Sequence, residues 1–312
     1  MTLDERLERF VGTWDPSLTR EFLRYDSLLR TKSRRSLCAW GQTGPGPYWK
    51  KLPHWLAGRG GNVPREISTK FLDTVLWGQT CLFYSVRLQD DLLDGELSRS
   101  PLAPATLLFL TEADRAYSSV FNRNTDFWKH YRRALGTTVT GIIRVAEMHR
   151  DLAVPARELL QVYGSVDAVL SIGSLAVCVC RGMADWIPRV NAFVRELGKV
   201  LLALDDMEDF EEDLADGRLN YPARILLIGR RVGKADLSLM ARTWHRHVRV
   251  EGFDEIKTTL LRCLSRAGDA IGPLRLQPAM ELIETTRGAV RNLTTCKAAE
   301  MKGKEGKTPL LS

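Results

Sequence analysis

Two groups of aspartates have the residue type and spacing best suited to chemistry in this chain. Each follows an apolar stretch, and the members are Asp90, Asp91 and Asp94 in one group and Asp205, Asp206, Asp209 and Asp213 in the other. On a helix, Asp205, Asp209 and Asp213 lie along one edge and repel one another by roughly a few tenths of a kcal/mol per pair. A shared cation would reverse that repulsion, and all-oxygen ligands are typical of Mg²⁺. The spacing predicts a magnesium site, with a solvated acidic helix end as the alternative for either group alone.

The helix faces that lead to these aspartates are apolar. At helical spacing, Leu82 and Val86 precede the first group, and Val194 and Leu201 precede the second. A stripe that is apolar at depth and anionic at its rim suits a cavity for a hydrocarbon with a charged head. We therefore predict that these four residues line an apolar pocket.

Hydrophobic periodicity predicts helices along almost the whole chain, without the alternation typical of strands. The predicted helices are 3–11, 18–29, 66–94, 103–118, 125–151, 155–181, 187–214, 221–229, 234–248, 253–267 and 278–295. No linker or internal repeat divides them, so we expect one all-α domain over 1–312, a bundle of long helices around a central apolar cavity. The N-terminal part, 1–65, holds short helices and a Gly- and Pro-rich irregular connector at 41–64. The Lys-rich segment 297–312 is predicted to be a flexible tail.

Composition narrows the class of protein. The chain has 312 residues, of which 44% are hydrophobic, and a formal net charge of +7. Its Lys and Arg are spread out and accompany no nucleic-acid-binding motif, so a phosphorylated small molecule is the expected anionic partner. The charged start lacks the pattern of a secretory signal, the apolar stretch 166–180 is too short to span a bilayer, and six scattered cysteines show no zinc spacing. We expect a cytoplasmic enzyme without a transmembrane segment.

The two aspartate groups together resemble the paired motifs of the class I isoprenoid synthases, which comprise trans-prenyl diphosphate synthases and terpene cyclases. Asp90–Asp94 matches the first DDxxD motif, and Asp205–Asp209 is similar to the second. Gly217 and Arg218 stand where prenyl synthases carry Gly-Lys. The resemblance extends over roughly 66–222 and depends on both motifs as a set.

This resemblance implies a mechanism. In that superfamily the two carboxylate groups face each other across a cavity mouth and bind three Mg²⁺ ions, which hold a prenyl diphosphate and draw off pyrophosphate. The implied catalytic metal ligands are Asp90, Asp94, Asp205 and Asp209, joined by Asp213. Asp91 and Asp206 are implied as further ligands, and Arg218 as a diphosphate-binding residue. Arg157 and Arg287 are weaker candidates for the diphosphate, because their neighbours do not reproduce the family motifs. A homodimer is a family expectation.

Departures from the family pattern separate its branches. Elongating synthases carry Gly-Gly-Lys, Arg-Arg and Lys-Thr motifs for a second diphosphate. Here 60–65 lacks the Lys, Arg99 stands alone, and 164–166 reads Gly-Ser-Val. These changes favour a Mg²⁺-dependent class I terpene synthase, a lyase that uses one prenyl diphosphate of C15–C20 or longer. The alternatives are a trans-prenyl diphosphate synthase that condenses an allylic diphosphate with isopentenyl diphosphate, and a non-catalytic helical partner of a prenyl synthase. Ser85 and Val86 lie where prenyl synthases set chain length, so Ser85 joins the predicted pocket.

Overall fold

The computed structural model describes residues 1–35, 47–58, 67–95, 97, 100–151, 153–226 and 250–293. Every regular element in these ranges is helical, which confirms the predicted all-α class. The α-helices are α1 (Leu3–Val11), α2 (Pro16–Arg35), α3 (Tyr48–Ala57), α4 (Thr69–Leu93), α5 (Ala103–Ser118), α6 (Asp126–Arg150), α7 (Ala156–Val166), α8 (Ile172–Cys180), α9 (Ile187–Glu208), α10 (Phe210–Ala215), α11 (Tyr221–Leu226), α12 (Val250–Ile271) and α13 (Gln277–Arg291). Short 3₁₀ turns occupy Asp167–Ser171, Ala184–Trp186 and Gly272–Leu274. The predicted helix 234–248, the tail 297–312, Arg99 and 60–65 lie outside the described residues.

The bundle is organised around α4 and α9, the two helices that end in the aspartate groups. Helix α4 packs along α5, and α9 packs between α7 and α12. Ser68 begins α4 by accepting a hydrogen bond from the Phe71 amide at 3.2 Å, as a helix N-cap residue does. The buried Trp77 indole then donates to Glu112 of α5 at 2.6 Å. These contacts fix the orientation of α4 and therefore the position of the aspartates at its C-terminal end.

The predicted helix 155–181 is broken at Asp167 into α7, a 3₁₀ turn and α8. Buried side chains from other helices satisfy the backbone groups that the break releases. Thr138 accepts from the Val169 amide at 2.8 Å, and Gln79 accepts from the Gly173 amide at 2.7 Å while donating to the Val169 carbonyl at 3.2 Å. Those partners lie far away in sequence, so local periodicity does not reveal the break.

The same segment raises the question of a membrane span. The helical segment Ala156–Cys180 is long and apolar enough to cross a bilayer by length and composition alone. Of its most apolar 18-residue stretch, 72% is buried inside the bundle. Core helices pass this test as well, so the observation is weak evidence for a membrane.

The predicted helix 187–214 is also interrupted, at Asp209, which separates α9 from α10. The chain then reverses at Gly217, whose φ of 76° lies in the left-handed region that glycine adopts without strain. The Arg218 amide donates to the Asp213 carbonyl at 2.7 Å. The reversal brings Arg218 back over the end of α9.

The region 41–64 corrects the sequence-based expectation of an irregular connector, because its described part contains α3. Trp49 stacks on Phe83 of α4 with ring centroids 4.8 Å apart, and Leu52 and Leu56 are fully buried. Burial of these side chains outweighs the unfavourable Pro53 inside the helix.

Candidate active site

The C-terminal ends of α4 and α9 face each other across one small cleft, which α6, α7 and α10 complete. Six of the seven predicted aspartates line it, namely Asp90, Asp94, Asp205, Asp206, Asp209 and Asp213. Its other polar lining residues are Arg87, His149, Tyr163 and Arg218, and its apolar ones are Ile142, Val145, Ala146, Val166 and Leu202. The volume is about 80 Å³. The structure thus brings both aspartate groups together above a short apolar floor.

Arg87 neutralises part of the first aspartate group. It lies one turn before that group on α4, with Nη2 at 2.8 Å from Asp91 Oδ1 and Nη1 at 3.6 Å from Asp90 Oδ2. The second oxygen of Asp91 accepts the Tyr25 hydroxyl from α2 at 2.5 Å. Asp91 is only 3% exposed. Its carboxylate is turned toward protein partners, while Asp90 and Asp94 face the cleft.

In the second group, Asp206 is held by a hydrogen-bonded chain. It accepts the Tyr163 hydroxyl at 2.5 Å and the Tyr221 amide at 3.1 Å. The Tyr163 oxygen also lies 2.9 Å from His149 Nε2. Burial and then the neighbouring Asp213 charge raise the pKa of Asp206 well above its usual value. Burial lowers the pKa of His149 to about 3, so this imidazole is neutral at physiological pH.

Asp213 continues the acidic line onto α10. Asn220 donates to its Oδ2 at 2.7 Å and to the Asp206 carbonyl at 3.0 Å. Burial raises the pKa of Asp213 to about 7, with the Asp209 charge adding to the rise while Arg218 and Asn220 oppose it. Both raised pKa values reflect the removal of a carboxylate from water first and the neighbouring aspartate charges second.

Arg218 joins the two groups across the cleft. Its Nη2 lies 3.0 Å from Asp213 Oδ1 and 3.2 Å from Asp216 Oδ2, and its Nη1 lies 3.6 Å from Asp94 Oδ2. A planar guanidinium with several donors suits such bridging. It also suits phosphate oxygens, the partner that the family resemblance implies.

The chemistry of the donors fits a hard divalent cation. Six carboxylates at one cleft give an all-oxygen set of the kind that Mg²⁺ selects. In the described part of the chain, however, no three acidic, histidine or cysteine side chains are arranged to hold one ion together. Arg87 and Arg218 lie among the carboxylates. Metal binding therefore requires side chains in the cleft to rearrange.

Two predicted diphosphate-binding arginines lie away from this cleft. Arg157 is exposed on the first turn of α7. Arg287 pairs with Glu284 within α13. Neither lines the cleft.

The predicted pocket residues are also not among the cleft lining. Leu82, Val86 and Val194 are buried in the helix core, and Leu201 is partly buried. Ser85 donates to the Thr106 carbonyl of α5 at 3.0 Å, so it faces the neighbouring helix. Helical spacing located the end of α4 at the first aspartate group, but it extended α9 to Leu214 and selected pocket residues that do not line the cleft.

Sequence reasoning missed several residues of the site. Arg87 could have been found, since a cation three and four residues before Asp90 and Asp91 is the spacing of a helical ion pair. Tyr25 and Tyr163 carried no such signal, because they lie 66 and 43 residues from the aspartates they contact.

Comparison with known proteins extends the description of the fold. The sequence matches no protein-family model and no curated protein sequence. Among solved structures, the chain is similar to heptaprenyl diphosphate synthase from Staphylococcus aureus (TM-score 0.67, 13% identity, 94% of this chain and 96% of that chain). It is also similar to geranylgeranyl pyrophosphate synthase from Corynebacterium glutamicum (TM-score 0.65, 15% identity, 92% and 90%). A medium/long-chain length prenyl pyrophosphate synthase from Arabidopsis gives a TM-score of 0.58 at 15% identity, over 89% and 99%. The chain has the isoprenoid synthase fold in a divergent sequence, which confirms the fold that the paired motifs implied.

Proposed function

We propose that this chain is a Mg²⁺-dependent prenyltransferase that binds an allylic prenyl diphosphate at the carboxylate cleft and joins it to isopentenyl diphosphate, with release of pyrophosphate and a proton. The observation that carries the proposal is the meeting of the two aspartate groups across one cleft, at the ends of α4 and α9. Similarity in fold to proteins named as prenyl diphosphate synthases favours this function over the terpene synthase that the motif departures favoured.

The residues of the cleft have different proposed roles. Asp90, Asp94, Asp205, Asp209 and Asp213 would hold the magnesium ions, of which the family resemblance predicts three. Bound there, divalent ions neutralise the diphosphate as Lewis acids and make pyrophosphate a better leaving group. Arg218 would exchange carboxylate partners for diphosphate oxygens, as a fixed cation with several donors can do. Asp206 is tied to Tyr163 and Tyr221, so its role in the proposal is to anchor α9.

The floor of the cleft sets a condition on binding. Val145, Val166 and Leu202 can exclude water from a developing carbocation. The 80 Å³ of the cleft is far less than a prenyl chain occupies. We therefore expect the ends of α4 and α9 to move apart when the substrate enters.

Transfer between two substrates needs space for a second diphosphate. Beside the cleft lies an open depression of about 400 Å³ lined by Asp94, Arg150, Asp216, Gly217 and Arg218. The depression has room for a second diphosphate, and its lining carries two arginines balanced by two aspartates.

A terpene synthase is the second candidate. Asp205, Asp209 and Asp213 share the cleft wall at the spacing that resembles the metal ligands of terpene cyclases. Gly164 begins the Gly-Ser-Val segment, which stands in place of the Lys-Thr motif of elongating synthases, and it is packed against Arg195 and Lys199. A non-catalytic partner of a prenyl synthase is the third reading. Cytoplasmic location and homodimer formation stay predictions.

One experiment separates these functions. Purified protein is incubated with Mg²⁺ and C10, C15, C20 or C25 prenyl diphosphates, with and without isopentenyl diphosphate, and the products are identified by mass spectrometry. Longer diphosphates that form only with isopentenyl diphosphate support transfer. Hydrocarbons or alcohols that form without it, beyond a protein-free control, support the terpene synthase. Absence of any product under all conditions contradicts both enzymes.

Substitutions at the cleft test the metal ligands. Asp90→Asn and Asp205→Asn should each lower product formation by at least about 100-fold, because Lewis-acid stabilisation is worth several kcal/mol. Asp73→Asn is the matched control, since Asp73 is exposed on the same α4. Full activity in both cleft variants would contradict the assignment.

A further inference from the structure

Arg87 places a positive charge inside the cleft that we propose binds divalent ions. It lines the cleft beside Asp90 and contacts both Asp90 and Asp91 through its terminal nitrogens. Its side chain is 26% exposed, so the guanidinium is largely removed from water. The charges of Asp91, Asp90 and Asp205 offset the cost of burial and raise the pKa of Arg87, so the residue is permanently cationic.

Asp91 fixes the position of Arg87. Asp91 binds Arg87 with Oδ1 and receives the Tyr25 hydroxyl on Oδ2. With one oxygen on Tyr25 and the other on Arg87, Asp91 holds the guanidinium through a single charge-assisted contact. Asp91 is thereby better placed to hold Arg87 than to ligate an ion.

One donor of Arg87 lacks an acceptor. The Nε–H is buried and makes no hydrogen bond to any residue in the ranges that the structure describes. Buried polar groups are usually paired, so this donor is available to a ligand oxygen once the cleft opens to admit one. An anionic oxygen is the acceptor that a guanidinium prefers.

We propose, building on the function proposed above, that Arg87 takes the place of one divalent ion in the cleft and donates its Nε–H to a diphosphate oxygen. A fixed guanidinium supplies positive charge at the first aspartate group without needing metal. Two consequences follow. Pyrophosphate binds measurably when divalent ions are absent, and the pyrophosphate complex holds one ion fewer than it would without Arg87.

The test compares the wild type with Arg87→Met, which keeps an unbranched, flexible side chain but removes its charge and its donors. Arg133→Met is the matched control, because Arg133 is exposed on α6. Pyrophosphate binding is measured by calorimetry in EDTA. The number of Mn²⁺ ions per chain is counted by metal analysis of the protein–pyrophosphate complex after gel filtration, because pyrophosphate also binds Mn²⁺ in solution.

In EDTA, Arg87→Met should bind pyrophosphate at least about tenfold more weakly than the wild type, since a hydrogen bond to a charged group is lost. With pyrophosphate present it should bind one more Mn²⁺ than the wild type. Arg133→Met should match the wild type in both measurements. Equal affinity and equal ion counts in wild type and Arg87→Met would overturn the proposal.

A second variant decides the case if circular dichroism finds Arg87→Met unfolded. Arg87→Lys keeps the positive charge but has neither the Nε–H nor the planar fork. It should keep the wild-type ion count and still bind pyrophosphate more weakly, by about threefold or more. Unchanged affinity in Arg87→Lys would then refute the role of Arg87.

The outcomes separate this role from the proposed function. Product formation by the wild type, with equal ion counts and pyrophosphate affinities in the variants, refutes the role of Arg87 alone. Failure to convert any prenyl diphosphate refutes the enzyme function, while the pyrophosphate measurements still decide what Arg87 binds.

Discussion

Replacing Asp167 with asparagine should stabilise the chain increasingly as the pH rises from about 4 to 7. Asp167 stands at the break between α7 and α8, partly buried, and a Cβ built on Gly198 of α9 would lie 2.8 Å from its Oδ2. Burial raises its pKa to about 7, with the Asp205 charge adding to the rise and with Tyr48 and Arg87 opposing it. The carboxyl group therefore remains protonated in the folded state at a pH where the unfolded chain has released its proton.

The direction and size of the pH effect on stability follow from the difference between the folded and unfolded pKa values of Asp167. Between the unfolded pKa of 3.8 and the folded value of about 7, only the folded chain carries the proton, so the free energy of unfolding falls as pH rises. The slope is about 1.4 kcal/mol per pH unit, which gives an upper limit of about 4 kcal/mol. Asparagine does not titrate. The difference in stability between Asp167→Asn and wild type should thus be larger at pH 8 than at pH 5 by about 2–3 kcal/mol.

Urea unfolding at pH 5 and pH 8 measures that difference. Comparing each variant with wild type at the same pH cancels the titration of all other groups. Asp269→Asn is the control, because Asp269 is exposed on α12, and its stability difference should stay within about 0.5 kcal/mol at both pH values. An Asp167→Asn difference that is the same at pH 5 and pH 8 would refute the assignment of a protonated Asp167 to the folded state.

Two further predictions concern packing and the support of the cleft. Gly78→Ala should lower the free energy of unfolding by about 1–3 kcal/mol, because the new Cβ would lie 2.8 Å from the ring of Tyr117. Gly136→Ala should instead raise the free energy of unfolding by up to about 1 kcal/mol, because nothing lies within 4 Å of its new Cβ. Urea unfolding of both variants measures these changes. Asn220→Ala should cost about 2–3 kcal/mol, because Asn220 is fully buried and its amide donates to Asp213. It should also weaken Mg²⁺-dependent stabilisation in thermal unfolding with pyrophosphate, and unchanged stability with unchanged metal response would contradict this role.

The all-α fold was predictable because it depends on local patterns, and the meeting of the two aspartate groups was implied by the resemblance to class I isoprenoid synthases. Helical periodicity marks α4 and α9, and the spacing of acidic residues marks their ends. What periodicity could not supply are contacts made across the fold. The break at Asp167 depends on Thr138 and Gln79 from other helices, and helix α3 forms in a Gly- and Pro-rich segment because Trp49 packs on α4.

The interior of the cleft was less predictable for the same reason. Tyr25 turns Asp91 away from the cleft, and Tyr163 anchors Asp206, although nothing near either tyrosine in sequence signals the partner. The bridging position of Arg218 depends on the left-handed backbone of Gly217, which a Gly-Arg pair alone does not specify. A family motif therefore locates the carboxylates, while the tertiary contacts determine which of them face the cleft.

The most direct test of the central claim is pyrophosphate release from a prenyl diphosphate. Wild type, Asp90→Asn, Asp205→Asn and Asp73→Asn are incubated with a C15 diphosphate, isopentenyl diphosphate and Mg²⁺, and pyrophosphate is measured over time. We predict Mg²⁺-dependent release by wild type and Asp73→Asn, and release lower by at least about 100-fold in the two cleft variants. Release that persists in EDTA, or that is equal in all four proteins, would contradict a function based on opposed aspartate groups.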